Sequence, residues 1–230
     1  MTDQRIIVAI DTFDLKQANI ILDQLDPDLC MVKIGSVIFN ALGKSFLKHV
    51  SSRGFKIFLD LKLHDIPNTV EKGIMAISKL KPIFTTIHIA GGDEMQKSSL
   101  VNKYFKTKIL GVTILTSLNK KQTLKYYKEK EINTLVKRFA RYAKLNNLDG
   151  IVCSPLEIEI VKKEVGNKMT IVVPGIRPDN SIFKKNDDQK RVLSPKEAIT
   201  LGADYLVIGR PIVESKNPLE AIKKINQSIK

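Results

Sequence analysis

The sequence predicts an α/β fold, a (β/α)8 TIM barrel built as a single domain over residues 1–230, and three observations carry that prediction. Eight short apolar, β-branched runs recur at regular intervals, at 6–10, 29–34, 56–61, 84–89, 109–114, 150–153, 170–173 and 205–208. Amphipathic stretches of helical period lie between and after them, at 14–25, 36–50, 69–80, 134–145, 155–165, 194–201 and 218–229. The strand-like runs are apolar almost throughout, which marks a parallel sheet covered on both faces. Eight strand–helix units in 230 residues suit a compact closed barrel. A doubly wound open sheet is the alternative that keeps the same alternation.

Taken in order, each unit has its own local signals. After the first strand come Asp11 and then Asp14, whose carboxylate suits the free amides of a helix start. The second strand carries Lys33 near its end. The third runs into Phe58-Leu-Asp-Leu-Lys-Leu-His-Asp-Ile-Pro-Asn-Thr-Val70, where Ile66-Pro67 forces an extended approach to the next helix. The fourth ends at His88, and Gly91-Gly92 beyond it permits a tight turn without forming a dinucleotide fingerprint. Thr116 follows the fifth strand, and Pro155 opens the helix after the sixth. The seventh leads to Pro174-Gly-Ile-Arg177, and the polar stretch 179–191 after it has the character of a lid that closes over a ligand. Ser194-Pro195, with Glu197 three residues after the serine, caps one helix, and Asn217-Pro218 opens the last.

Composition narrows the functional classes. A hydrophobic content of 43% supports a substantial core and argues against disorder. The formal charge of +14 comes mainly from lysines scattered over almost every helical stretch, without the aromatic-interleaved stripe of a nucleic-acid binder. No nucleic-acid partner is therefore expected, although the field favours arrival of an anionic substrate. No apolar run approaches the ~18 residues of a membrane helix. Cys30 and Cys153 sit in apolar runs without C-x-x-C spacing, as buried thiols do in a reducing compartment. A cytoplasmic protein without membrane attachment is expected.

In a barrel, active groups gather at the carboxyl ends of the strands. Here those ends carry Asp11, Lys33, Asp60 with Lys62, His88, Thr116, Arg177 and Gly209-Arg210, so one rim collects the polar residues. Asp60 and Lys62 are two apart and share a strand face, with Leu59, Leu61 and Leu63 on the other. Asp65 adds a second acid, and the three charges form either a structural ion network or a catalytic group in which the ammonium donates a proton or steadies a developing anion. Val207-Ile-Gly-Arg-Pro211 offers glycine amides and a bidentate arginine to a phosphate, or is simply a glycine turn with a surface arginine. His49, His64 and His88 have no carboxylate or thiol at metal-ligand spacing, so no metal site is expected and His88 should be a hydrogen-bonded rim residue.

With Asp11, Lys33, Asp60-x-Lys62-x-x-Asp65-Ile-Pro-Asn-Thr69, Thr116, Pro174-Gly-Ile-Arg177, Gln189 and Gly209-Arg210 laid out, the chain closely resembles the orotidine 5'-phosphate decarboxylase family of the bacterial type. The resemblance spans the first strand to the eighth. It implies a cofactor-free decarboxylation of orotidine 5'-phosphate to UMP, the last step of de novo pyrimidine synthesis, in a homodimer whose active sites lie near the interface. It further implies that Lys62 protonates C6 of the pyrimidine and that Asp60 orients it, with Asp65 and Lys33 completing the catalytic set. Asp11 and Lys33 would hold ribose hydroxyls, Thr116 the pyrimidine region, and Arg177, Gln189, Gly209 and Arg210 the phosphate. The run of Asp60, Leu61, Lys62, Leu63, His64, Asp65, Ile66, Pro67, Asn68 and Thr69 would line the substrate, with Asp65 and Thr69 reaching into the neighbouring subunit's site. A related sugar-phosphate branch uses the same Asp-x-Lys-x-x-Asp string with magnesium, and Lys33 stands where that branch has a metal-binding glutamate.

Overall fold

Eight parallel strands close into one barrel in the order β1 to β8 in the computed structural model, which describes residues 4–104, 106–178 and 193–230, with side chains at 102–104 left aside. The strands are β1 (Ile6–Ile10), β2 (Met31–Gly35), β3 (Ile57–Leu63), β4 (Phe84–His88), β5 (Lys108–Val112), β6 (Gly150–Val152), β7 (Thr170–Pro174) and β8 (Tyr205–Ile208). Pairing of β1 with β8, through Ile6 with Leu206 and Val8 with Ile208, closes the ring and rules out the open sheet.

The helices are α1 (Leu15–Asp23), α2 (Ser36–Ser52), α3 (Pro67–Ser78), α4 (Asp93–Ser98), α5 (Lys120–Tyr127), α6 (Ile132–Leu145), α7 (Ile158–Val165), α8 (Pro195–Thr200), α9 (Arg210–Val213) and α10 (Pro218–Ser228). The expected caps form. Asp14 Oδ1 accepts from the Gln17 amide at 2.6 Å, and Asn217 accepts from the Glu220 amide at 3.1 Å. Ser194 and Glu197 bond each other's backbone amides as a capping box. Two departures have local causes. The helix expected over 36–50 is broken at Gly43 (φ +64), a conformation a residue with a Cβ resists. The polar helix α5 has no apolar stripe to announce it, since Thr123 is its one buried residue; the Asn119–Gln122 capping box starts it.

The strand alternation divides the core into two layers. Inside the barrel, Ile7, Ala9, Met31, Phe58, Phe84, Leu110, Val112, Val152, Val172 and Val207 pack together. Phe84 meets Phe58 and Tyr205 edge to face, at centroid distances of 6.0 and 5.0 Å. Such pairs contribute about 0.5–1.5 kcal/mol each beyond area burial. Residues of opposite parity, such as Ile6, Val8, Ile10, Leu59 and Val173, pack against the helices. The largest contributor from one helix is the i, i+3, i+4 stripe of α6: Ile132, Leu135, Val136, Phe139, Ala140 and Ala143.

The inward parity positions the site. Continuing Ile7 and Ala9 leads to Asp11; Met31 leads to Lys33; Phe58 leads to Asp60 and Lys62; Phe84 leads to Thr86 and His88. Apolar residues thus fill the barrel floor, and charged ones on the same strand faces emerge at its mouth.

Candidate active site

A cleft of about 280 Å3 opens at the carboxyl ends of the strands. Ala9, Phe58, Val112, Val152, Cys153 and Val207 contribute its apolar lining, and Asp11, Lys33, Asp60, Lys62, Thr116, Arg177, Gly209 and Arg210 its polar lining. These eight are among the residues that the sequence singled out. The mouth of the barrel brings them together from β1, β2, β3 and the segments after β5, β7 and β8.

One side of the cleft carries a chain of alternating charges. Lys62 Nζ donates to Asp60 Oδ2 at 2.7 Å, Lys33 Nζ lies 3.9 Å from that same oxygen, and Lys33 Nζ donates to Asp11 Oδ1 at 3.2 Å. Two acids and two ammoniums compensate one another, so none stands alone in the partly dry mouth. The inner pair is the shielded one. The Asp60 side chain is 11% exposed and that of Asp11 61%, so the outer contact contributes little to stability. Gly35 makes room for this chain, because a Cβ there would come within 3.0 Å of Lys33 Nζ and 3.5 Å of Asp11 Oδ1.

The backbone under Lys62 is unusual. Its φ is +52°, in the left-handed region that costs a residue with a Cβ about 1–2 kcal/mol. The β3–β4 ladder pairs Leu59 with Thr85 and then Leu63 with Ile87, so β3 carries extra residues between the two pairs and bulges. Within the bulge the Lys62 amide donates to Thr86 Oγ1 at 2.8 Å, and Thr86 Oγ1 donates to Asp60 Oδ1 at 2.9 Å. The expected shared face of Asp60 and Lys62 therefore forms, by a bulge rather than by plain alternation. Leu61 and Leu63 pack against the helix-side core as expected, away from the cleft.

Asp65 departs from the compact triad. Within one chain it is exposed, Oδ1 accepts from the Ile66 amide at 2.7 Å, and Lys33 rather than Asp65 is the second charge facing Asp60. Ile66 is extended (φ −60°, ψ 152°) ahead of Pro67 at the first turn of α3, which turns Asp65 outward. His64, Asp65, Ile66, Pro67, Asn68 and Thr69 are all exposed, Ile66 at 65%. His88 also differs from expectation: among the described residues its side chain contacts the His64 ring, at 5.4 Å between centroids, and makes no hydrogen bond. Burial, then the neighbouring His64 and Lys62, push its imidazole below the ordinary histidine value.

On the other side of the cleft, Gly209 precedes the single turn α9, which starts at the exposed Arg210. Arg177 is buried, its amide donating to Leu193 O at 3.0 Å and its Nη1 to Ile176 O at 3.1 Å. Gln189 and the expected lid, 179–191, lie outside the described residues. Sequence reasoning missed Thr86 and Gly35. Threonine is one of the residue types enriched in strands, and a glycine at a strand end has many uses, so neither carried a signal. Cys153 lies beneath the cleft, its thiol driven well up by burial and the nearby Glu157 carboxylate. Among the described residues no three histidine, cysteine or acidic side chains are grouped to hold a metal, and no helix is long and apolar enough to cross a membrane.

This fold and cleft define a class: (β/α)8 barrels with a small-molecule site at the strand ends, acid–lysine chemistry on one side and arginine and glycine on the other. The family described as Orotidine 5'-phosphate decarboxylase / HUMPS matches residues 4–225, and the chain belongs to it. Orotidine 5'-phosphate decarboxylase of Glaesserella parasuis serovar 5 is 41% identical over 231 residues, covering 99% of each chain. That of Aliivibrio fischeri (strain MJ11) is 38% identical over 233 residues, covering 100% of this chain and 98% of its own. The crystal structure of orotidine 5'-phosphate decarboxylase from Lactobacillus acidophilus superposes with a TM-score of 0.86 at 35% identity, covering 99% of both chains.

Proposed function

We propose that this chain converts orotidine 5'-phosphate to UMP and carbon dioxide, the last step of UMP biosynthesis, with Lys62 delivering the proton to C6. The observation that carries this reading is the Lys62 ammonium held 2.7 Å from Asp60 in a cleft whose far side presents Arg177, Gly209 and Arg210. Relatives that match over nearly the whole chain bear the name of that activity.

The chemistry follows from the charges. As the C6–carboxylate bond breaks, its electron pair stays on C6, and carbon dioxide leaves neutral. A preorganised ammonium beside C6 stabilises that growing charge and then transfers one proton to it; the resulting amine regains a proton from solvent. Asp60 is placed to orient Lys62 and to face the substrate carboxylate, a like-charge contact relieved as carbon dioxide departs. Lys33 and Asp11 suit ribose hydroxyls, and Thr116 the pyrimidine edge. Arg177, Arg210, the Gly209 amide and Gln189 suit the phosphate dianion, whose binding energy is available to order the site. No cofactor is required by this sequence of steps. The exposed run from His64 to Thr69, with Ile66 at its centre, supports a homodimer in which Asp65 and Thr69 complete the partner's site. A cytoplasmic location fits this reading.

The sugar-phosphate branch of the family is disfavoured by Lys33, whose ammonium lies 3.9 Å from Asp60 and would repel a divalent cation there. Purified protein mixed with orotidine 5'-phosphate, with and without EDTA, tests both readings through the loss of pyrimidine absorbance. Turnover at an undiminished rate is expected. No turnover refutes the assignment, and turnover abolished by the chelator moves the chain to the metal-dependent branch.

A further inference from the structure

A buried hydroxyl on β4 touches both halves of the acid–lysine pair. Thr86 is fully buried, its Oγ1 accepts from the Lys62 amide at 2.8 Å, and the same oxygen donates to Asp60 Oδ1 at 2.9 Å. Its one proton and one of its lone pairs are thereby committed. Asp60 in turn offers its other oxygen, Oδ2, to the Lys62 ammonium at 2.7 Å. The result is a closed circuit: Lys62 amide to Thr86 hydroxyl, hydroxyl to Asp60 carboxylate, carboxylate to Lys62 ammonium. It joins the two ends of the same lysine.

Each contact answers a local need. The bulge between Leu59 and Leu63 interrupts the β3–β4 ladder, and the Lys62 amide inside it requires an acceptor that the strand backbone does not supply. The left-handed φ of +52° at Lys62 persists only where its surroundings hold it. A carboxylate bonded on one oxygen alone can swing about its terminal torsion, whereas Asp60, held by Thr86 on Oδ1, must present Oδ2 to Lys62.

We propose that Thr86 is a positioning residue for the decarboxylation: its hydroxyl locks the strained Lys62 backbone and the Asp60 carboxylate in one arrangement, so that the ammonium is aimed before substrate arrives. The inference rests on the reading of Lys62 as the proton donor. Thr86 is absent from the cleft lining, so it acts through Lys62 and Asp60 and not on the substrate itself.

The test compares Thr86→Val, which keeps the shape and removes the hydroxyl, with Thr86→Ser, which keeps the hydroxyl. Thr86→Val should lower kcat for orotidine 5'-phosphate about tenfold to a hundredfold with KM changed less than about threefold, because the phosphate end is untouched. Thr86→Ser should recover most of kcat. A Thr86→Val enzyme within about twofold of wild type in kcat overturns the proposal, as does a Thr86→Ser enzyme as impaired as Thr86→Val. Should Thr86→Val fail to fold, Thr86→Ala replaces it against Thr86→Ser: a serine enzyme at least about tenfold faster than the alanine enzyme supports the proposal, and equal rates refute it.

A second measurement stands apart from turnover. Acetylation of Lys62 by acetic anhydride, quantified by peptide mass spectrometry against the exposed Lys216, reports how firmly Asp60 engages the ammonium. Removal of the hydroxyl should raise relative labelling at least about threefold, since the unheld carboxylate releases its partner; unchanged labelling refutes the inference. If wild-type protein shows no decarboxylation at all, the functional reading falls while the labelling result still decides the role of Thr86.

Discussion

In the β1–β4 half of the barrel mouth the polar groups stand on the strands or one residue beyond them, whereas in the β5–β8 half they stand on the segments that follow. Lys33, Asp60, Lys62, Thr86 and His88 are strand residues, and Asp11 directly follows β1. Thr116, Arg177 and Arg210 come after β5, β7 and β8. The strand-borne half is tied by contacts between side chains: Asp11 to Lys33, Lys33 to Asp60, Lys62 to Asp60, Thr86 to Asp60. In the loop-borne half, Arg177 bonds to main-chain carbonyls, through its amide to Leu193 O and through Nη1 to Ile176 O. The difference matches the roles proposed above: a proton donor needs placement to a fraction of an ångström, which a sheet provides, whereas an anion grip tolerates adjustment.

The largest expected effect comes from breaking the strand-borne half at its centre. Lys62→Ala should lower kcat for orotidine 5'-phosphate by at least about 10^3-fold if Lys62 is the proton donor proposed above, with the circular-dichroism spectrum of wild type retained. Near wild-type turnover would remove Lys62 from the mechanism. In the loop-borne half, Arg210→Ala should raise KM about tenfold to a hundredfold if Arg210 makes the charge-assisted phosphate contact proposed above. A fall in kcat with KM unchanged would show that the two halves do not divide the work in this way.

Smaller effects sharpen the division. Gly35→Ala adds a methyl 3.0 Å from Lys33 Nζ, the flexible end of a side chain, so a few-fold loss of kcat/KM with unchanged melting temperature is expected. Loss of folding would mean that Gly35 serves the backbone instead. The His64–His88 contact gives a pH signature. Burial and the nearby His64 and Lys62 hold His88 below the ordinary histidine value of 6.5, so the unfolded chain takes up that proton first. The stability this contributes is complete above pH 6.5 and is lost as pH falls through the lower folded value. His88→Asn should therefore flatten the acid limb of the melting-temperature profile, and an unchanged limb would assign it to other groups. The smallest effect is at the thiols. Cys30, pushed up to about 12 by burial and the Asp26 carboxylate, and the buried Cys153 should both resist alkylation at pH 8 until the chain is unfolded in urea.

The sequence by itself determined the barrel, because eight apolar runs of strand length between amphipathic stretches leave few other ways to bury both faces of a parallel sheet. It also determined the caps at Asp14, Ser194 and Asn217, which follow from local hydrogen bonding, and the gathering of Asp11, Lys33, Asp60, Lys62, Arg177 and Arg210 at one rim, since all lie at or just beyond the carboxyl ends of strands. What only the tertiary structure decided are the contacts between strands distant in sequence. The bulge at Lys62, the Thr86 hydroxyl 24 residues away that fills it, the substitution of Lys33 for Asp65 beside Asp60, and the space left by Gly35 all depend on the register of neighbouring strands. Register is set by the closure of the whole barrel, and a threonine in a strand looks the same in a sequence whether its hydroxyl is idle or holds a lysine in place.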